Sequence, residues 1–161
     1  MLDDVTGAEG VQIALTIDGV RVEVAAGTTL WEAARAAGIE IPVLCHEPRL
    51  APVGVCRLCV VDIGERTLAA SCVRLCEPGM EVRTATEEIE THRGVLTELL
   101  MADQPPVEED ARATTLGDNA LHALADRYDA RGESLPAGQD GQRPADASSA
   151  VIAVDHQACI L

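Results

Sequence analysis

The chain has 161 residues, room for one domain of about 100 residues with its own core plus an appendage. Its 27 acidic against 12 basic residues give a formal charge of -15; this excludes nucleic acid, whose phosphates repel such a surface, and favours docking on a basic patch of another protein. With no Phe, one Trp and one Tyr, the core must be aliphatic.

Residues 1–10 are acidic and Gly-containing, with neither a basic n-region nor an apolar h-region, and are expected to form a flexible N-terminus rather than a signal peptide. No segment approaches the roughly 20 apolar residues of a membrane span. A cytoplasmic, reducing setting follows, in which the six cysteines bind metal or do redox work rather than pair as disulfides. From residue 11 to 18 apolar and polar positions alternate, with Val11, Ile13, Leu15 and Ile17 on one face. A second strand over 21–24 follows Asp18-Gly19, a pair suited to the positive φ angles of a tight hairpin turn. Thr29 and Glu32 form a capping box, Leu30, Ala33, Ala34 and Ala37 recur at helical spacing, and Gly38 is placed to stop the helix.

Ile41-Pro42 opens a loop broken by Pro48, Pro52 and Gly54. Strands are expected over 59–63 and 67–72, around Gly64-Glu65, and again over 80–83. A helix over 86–101 is capped by Thr86, carries Glu87 and Glu88 at the positive end of its dipole, and aligns Ile89, Leu96, Leu99 and Leu100. Residues 11–102 therefore read as one compact α+β domain. Residues 103–161 read as an acidic linker holding Glu108, Glu109 and Asp110, one amphipathic helix over 118–128 with Leu121, Leu124 and Tyr128 aligned, and an irregular tail with a short strand over 151–154.

Cys45, Cys56, Cys59 and Cys72 are spaced C-x10-C-x2-C-x12-C. A 2Fe-2S cluster needs four thiolates, two per iron, on backbone that bends so that amide N–H groups point at the sulfurs. Cys56 and Cys59 supply two from one turn, the loop from Cys45 wraps the cluster, and Cys72 closes the cage from a neighbouring strand. Structural zinc also takes four thiolates, although zinc ribbons usually present two C-x2-C pairs. Spacing alone leaves zinc open, and it leaves Cys76 competing with Cys72. His46 invites a Rieske reading, but His92, His122 and His156 are remote in sequence from these cysteines, so His46 is expected to shape the loop. Arg57, between two cysteines, either raises the reduction potential or faces solvent. Trp31 is expected to pack beside the loop.

The stretch Ile41-Pro-Val-Leu-Cys45-His-Glu-Pro, then Gly54-Val-Cys56-Arg-Leu-Cys59-Val-Val-Asp62, Ala70-Ser-Cys72 and Gly79-Met80-Glu-Val82 resembles the N-terminal ferredoxin domain of a redox-complex family. That family includes the large iron-sulfur subunit of complex I, a small subunit of NAD-reducing hydrogenases and the alpha subunit of NAD-dependent formate dehydrogenases. The resemblance covers residues 11 to about 101. It implies a β-grasp ferredoxin fold and a 2Fe-2S cluster held by Cys45, Cys56, Cys59 and Cys72. It selects Cys72 by its place seven residues before Gly79-Met80, leaving Cys76 as a small buried or half-buried side chain. Between residues 103 and 158 there is no cysteine, so the family's His-plus-three-Cys site for a 4Fe-4S cluster is absent from that segment. Cys159 stands where the family opens a C-x2-C-x2-C motif, of which the sequence holds this one cysteine.

The implied function is one-electron transfer as a module of an NAD-linked oxidoreductase, formate dehydrogenase first and complex I or hydrogenase next. The implied partners are flavin- and NAD-binding or molybdopterin-containing subunits. No Gly-rich dinucleotide fingerprint and no acid-base constellation give the chain a catalytic site of its own. The alternative is a zinc-binding or metal-free interaction or assembly protein on the same fold.

Overall fold

The computed structural model describes residues 11–102, 104, 119–133, 146–152 and 154. The acidic run 108–110 and Cys159 lie outside the described residues. Packing divides the chain into two compact units, Met1–Ile89 and Glu90–Leu161. The first carries strands β1 (Gln12–Ile17) and β2 (Val20–Ala25), helix α1 (Leu30–Ala36), and strands β3 (Val60–Val61), β4 (Ala69–Ala70) and β5 (Glu81–Val82). Helix α2 (Glu87–Ala102) starts at its end and belongs mostly to the second unit, with α3 (Ala120–Tyr128).

The sheet order is β2-β1-β5, with β2 antiparallel and β5 parallel to β1. The hairpin turn is the expected one: Asp18 and Gly19 have φ of 48° and 81°, the left-handed pair that a two-residue primed turn requires. Asp18 also ties the turn to the end of β5, its carboxylate accepting the Thr84 N–H at 2.8 Å and the Thr84 hydroxyl at 2.5 Å.

Helix α1 opens on the expected capping box. Thr29 Oγ1 accepts the Glu32 N–H at 3.2 Å while Glu32 Oε2 accepts the Thr29 N–H at 2.9 Å, and that backbone bond holds the Glu32 carboxyl below its ordinary range. The next two amides have no partner within their helix and donate instead to the segment after β4, Leu30 N–H to Arg74 O at 2.9 Å and Trp31 N–H to Ser71 O at 3.0 Å. Ile13, Leu15 and Ile17 pack against Leu30, Ala33 and Ala34, with Val61 and Val82 closing the layer. Alanines on the inner face bring the helix close to the sheet, and burying Leu30 completely contributes about 2 kcal/mol. A small sheet folded over one helix is the α+β, β-grasp architecture expected.

The strands around Gly64 are shorter than the sequence suggests. β3 and β4 pair over two residues each, because Asp62 leaves that ladder and exchanges backbone bonds with Arg83 at 2.8 and 3.0 Å. At the other end Val73 N–H turns back to Ala70 O at 3.2 Å.

In α2 the expected cap holds, with Thr86 Oγ1 accepting the Ile89 N–H at 3.2 Å. The buried stripe differs: Ile89, Arg93 and Thr97 are buried, Leu96 and Leu100 are half-buried, and Leu99 is 46% exposed. Arg93 is paired with Glu90 at 2.9 Å, and its carbonyl accepts the Thr97 hydroxyl at 2.8 Å, so polar groups sit on that face with their partners. Helix α3 is capped by Asn119 and buries Leu121 and Ala125, while Leu124 and Tyr128 are half-buried. Arg131 N–H donates to Glu98 Oε2 at 2.7 Å, and Gly132 passes so close to the Met101 and Ala102 backbone that a Cβ would lie 2.7 Å from it. Where a strand is expected over 151–154, the described residues hold one bridge, between Asp146 and Val154. Among the described residues no helix is long and apolar enough to cross a membrane.

Candidate metal centre

Cys45 and Cys56 lie half-buried on the loop after α1, whereas Cys59 and Cys72 are buried at the start of β3 and the end of β4. The β3–β4 ladder brings the last two together: Cys59 Sγ and Cys72 Sγ are 3.3 Å apart. The loop brings the other two together, with the Cys56 N–H donating to Cys45 Sγ at 3.4 Å. Two left-handed residues bend it, Gly54 at φ 67° and Arg57 at φ 58°. At Gly54 the reason is space as well as angle, since a Cβ would sit 3.2 Å from Val73 Cγ1.

The bent backbone turns its amides onto the sulfurs. Burial pushes the Cys56 thiol up, but the N–H groups of Leu58, Leu44 and Cys45 outweigh it, and Cys56 ends below the ordinary thiol value. Burial prevails at Cys45, against the Cys56 N–H, and that thiol is raised. Cys72 is pushed up to about 12, first by burial, then by its hydrogen bond to Cys59 and the negative charges that Cys59, Cys45 and Cys56 would carry. All four thiols therefore lie within electrostatic reach of one another.

This donor set fits a binuclear cluster. Four crowded thiols resist ionising together unless a cationic group compensates them, and metal binding supplies that compensation. They come as two pairs, Cys45 with Cys56 and Cys59 with Cys72. Amide donors around Cys45 and Cys56 are the arrangement that stabilises anionic sulfur.

Cys76 stands apart. Its N–H donates to Thr28 O at 2.9 Å, its side chain is buried in the core beside α1, and burial, then the Glu32 charge, raises its thiol. The Cys59 sulfur meets Cys72.

Trp31 projects from α1 onto the loop. Its indole N–H donates to Ile41 O at 3.1 Å, and its ring meets that of His46 edge-on, with centroids 4.7 Å apart. His46 Nδ1 is buried with no hydrogen-bond partner among the described residues, so the imidazole acts here as a packing surface. His92 and His122 belong to helices of the second unit, and His156 lies outside the described residues. Arg57 is exposed and donates to Leu68 O at 3.3 Å. Ser71, which sequence reasoning missed, is completely buried and donates its hydroxyl to Cys59 O at 2.7 Å.

Comparison with known proteins agrees with this geometry. Residues 10–87 match the family described as the 2Fe-2S iron-sulfur cluster binding domain. A component of the NADH-quinone oxidoreductase of Streptomyces coelicolor is 34% identical over 92% of this chain and 18% of its own length. The HndD component of the NADP-reducing hydrogenase of Solidesulfovibrio fructosivorans is 31% identical over 92% of this chain and 26% of its own length. A chain of an NAD+-reducing NiFe-hydrogenase, solved in the H2-reduced state, superposes with a TM-score of 0.83 at 34% identity, covering 92% of this chain and 62% of that one. The chain thus spans about a fifth to a quarter of these two curated relatives. The cofactor of the matched domain is a 2Fe-2S cluster. Sequence motif, β-grasp architecture and paired thiols agree, and residues 10–87 of the chain are a 2Fe-2S iron-sulfur cluster binding domain.

Proposed function

We propose that Cys45 and Cys56 ligate one iron and Cys59 and Cys72 the other, and that the domain, residues 11–102, passes single electrons within a cytoplasmic NAD-linked oxidoreductase. The observation that carries the ligand assignment is the pairing of the four thiols, with the Cys59 and Cys72 sulfurs 3.3 Å apart and the Cys56 amide on the Cys45 sulfur. When bound, the cluster accepts and returns one electron. The chain's own part is to hold the thiolates, to aim the amides of Leu44, Cys45, Cys56 and Leu58 at them, and to keep the Cys59 and Cys72 side away from water. The particular complex inferred from the sequence is a formate dehydrogenase, with complex I and hydrogenase types as the neighbouring settings. The relatives named above carry NADH-quinone oxidoreductase and hydrogenase names, so the choice among the three is made by experiment.

Anaerobically purified full chain is expected to be red-brown, with two irons and two sulfides and a rhombic paramagnetic signal after dithionite reduction. A colourless protein with one zinc overturns the proposal. Purification from the native source identifies the complex through the subunits retained, and through whether formate, NADH or hydrogen reduces the cluster.

A further inference from the structure

Both halves of the thiol cage lean on one residue. The Trp31 backbone N–H donates to Ser71 O at 3.0 Å, immediately before Cys72, and the Ser71 hydroxyl and amide both donate to Cys59 O, at 2.7 and 3.1 Å. On its other side Trp31 holds the loop that carries Cys45, through the indole N–H to Ile41 O at 3.1 Å and the edge-on contact with His46, which flanks Cys45 directly. Arg35 lies over the same indole, 5.5 Å from its centroid, and the capping box fixes the helix turn from which Trp31 projects.

We propose that Trp31 is a positioning residue for the cluster, setting the separation of the Cys45–Cys56 pair from the Cys59–Cys72 pair by gripping the loop with its side chain and the strand end with its backbone. This rests on the 2Fe-2S reading above. The backbone bond survives substitution by any residue that keeps its N–H, so the side-chain variants below release the loop alone. A loop free to shift moves two of the four sulfurs relative to the others, and changes the electronic environment of one iron more than that of the other.

The test uses the full chain loaded anaerobically with iron and sulfide. Trp31→Phe keeps a ring against His46 and loses the bond to Ile41; it is expected to bind two irons and two sulfides, to show shifted g-values after dithionite reduction, and to lose its cluster in air about two to ten times faster, the ratio that one hydrogen bond carries. Trp31→Leu, which also loses the ring contact, is expected to go further in both measures. Thr29→Ala removes the side-chain acceptor of the Glu32 N–H and so weakens the cap of the same helix without removing a charge, and is expected to lower thermal stability with g-values unchanged. Parent-like g-values and loss rate in Trp31→Phe overturn the proposal, and so does an equal g-value shift in Thr29→Ala, which would mean that any loosening of α1 suffices. If Trp31→Phe does not fold, His46→Ala removes the ring contact from the loop side, and parent-like spectra there overturn the proposal. A parent chain that takes up no iron and sulfide fails the cluster reading itself, a result distinct from a fully loaded parent matched by its variants.

Discussion

Ser71 and Cys59 are joined twice through a single acceptor: the Ser71 hydroxyl and the Ser71 amide both donate to the Cys59 carbonyl, at 2.7 and 3.1 Å. The ladder that carries two of the four thiols is only two residues long on each strand, so these bonds close it at the end where the sulfurs sit. Ser71→Ala removes the hydroxyl and leaves the carbonyl one donor. It is expected to destabilise the metal-free chain by about 1 kcal/mol, read from its denaturant midpoint, because no buried group is left wholly unpaired. A loss of under about 0.3 kcal/mol would show that the hydroxyl adds nothing to the amide.

Cys72 and Cys76 are four residues apart and face different surroundings, one against the Cys59 sulfur and the other against Thr28 and the core face of α1. Cys76→Ser is therefore expected to keep two irons and two sulfides per chain, and to lose about 1 to 3 kcal/mol of stability as a hydroxyl replaces a buried thiol in an apolar site. Cys72→Ser is expected to lose most of its cluster or to hold it with an altered spectrum. Iron and sulfide analysis of the two variants checks the assignment, and a full, unaltered cluster in Cys72→Ser would reassign the fourth ligand.

The metal-free chain has a pH dependence whose sign follows from the thiols. Cys72 is raised from the ordinary 9.0 to about 12 by burial and by its thiol neighbours, and Cys45 is raised as well. Below about pH 9 both folded and unfolded chains keep these protons, and the contribution to stability is complete. Between about 9 and 12 the unfolded chain releases a proton that the folded chain retains, so stability falls as pH rises. The midpoint temperature of the metal-free protein is expected to drop between about pH 9 and 12, and Cys72→Ala to flatten part of the drop. In the loaded protein the thiolates are already ionised on metal, and the alkaline decline is expected to disappear.

The parts of this molecule that are legible in the sequence are those with a local cause. Asp18-Gly19 announces its turn because few residue pairs accept two positive φ angles, and Thr29 with Glu32 announces a helix start because the bonds stay within four residues. The four cysteines are legible through chemistry that few other residues perform. The buried face of α2 departs from its apolar periodicity because Leu99 and Arg93 exchange the roles their polarity suggests: Arg93 is buried with Glu90 beside it, while Leu99 faces outward. Which stripe of a helix is covered depends on its tertiary neighbours, and periodicity does not carry that information. Ser71, and the grip of Trp31 on Ile41 and Ser71, are illegible for a related reason. Their acceptors are main-chain carbonyls, which every residue has, so no side-chain pattern marks them.

Arg57 combines a left-handed backbone with a cation between two cysteines, and two substitutions separate the effects. Its guanidinium is exposed and bonded to the Leu68 carbonyl, so its charge is not neutralised by that contact. A nearby positive charge favours the state with one more electron, hence Arg57→Gln is expected to lower the reduction potential, on the order of 20 mV at low salt for a unit charge some 8 Å away in a watery dielectric. At about 1 M salt the difference is expected to vanish, because exposed charges are then screened within about 3 Å. Arg57→Gly removes the same charge and also the steric cost of φ 58°, about 1 kcal/mol. Both variants should therefore shift the potential alike, and the glycine variant alone should gain stability in the metal-free form. A potential shift confined to the glycine variant would place its origin in the loop backbone rather than in the charge. Protein-film voltammetry at two salt concentrations, paired with denaturant midpoints, distinguishes these outcomes.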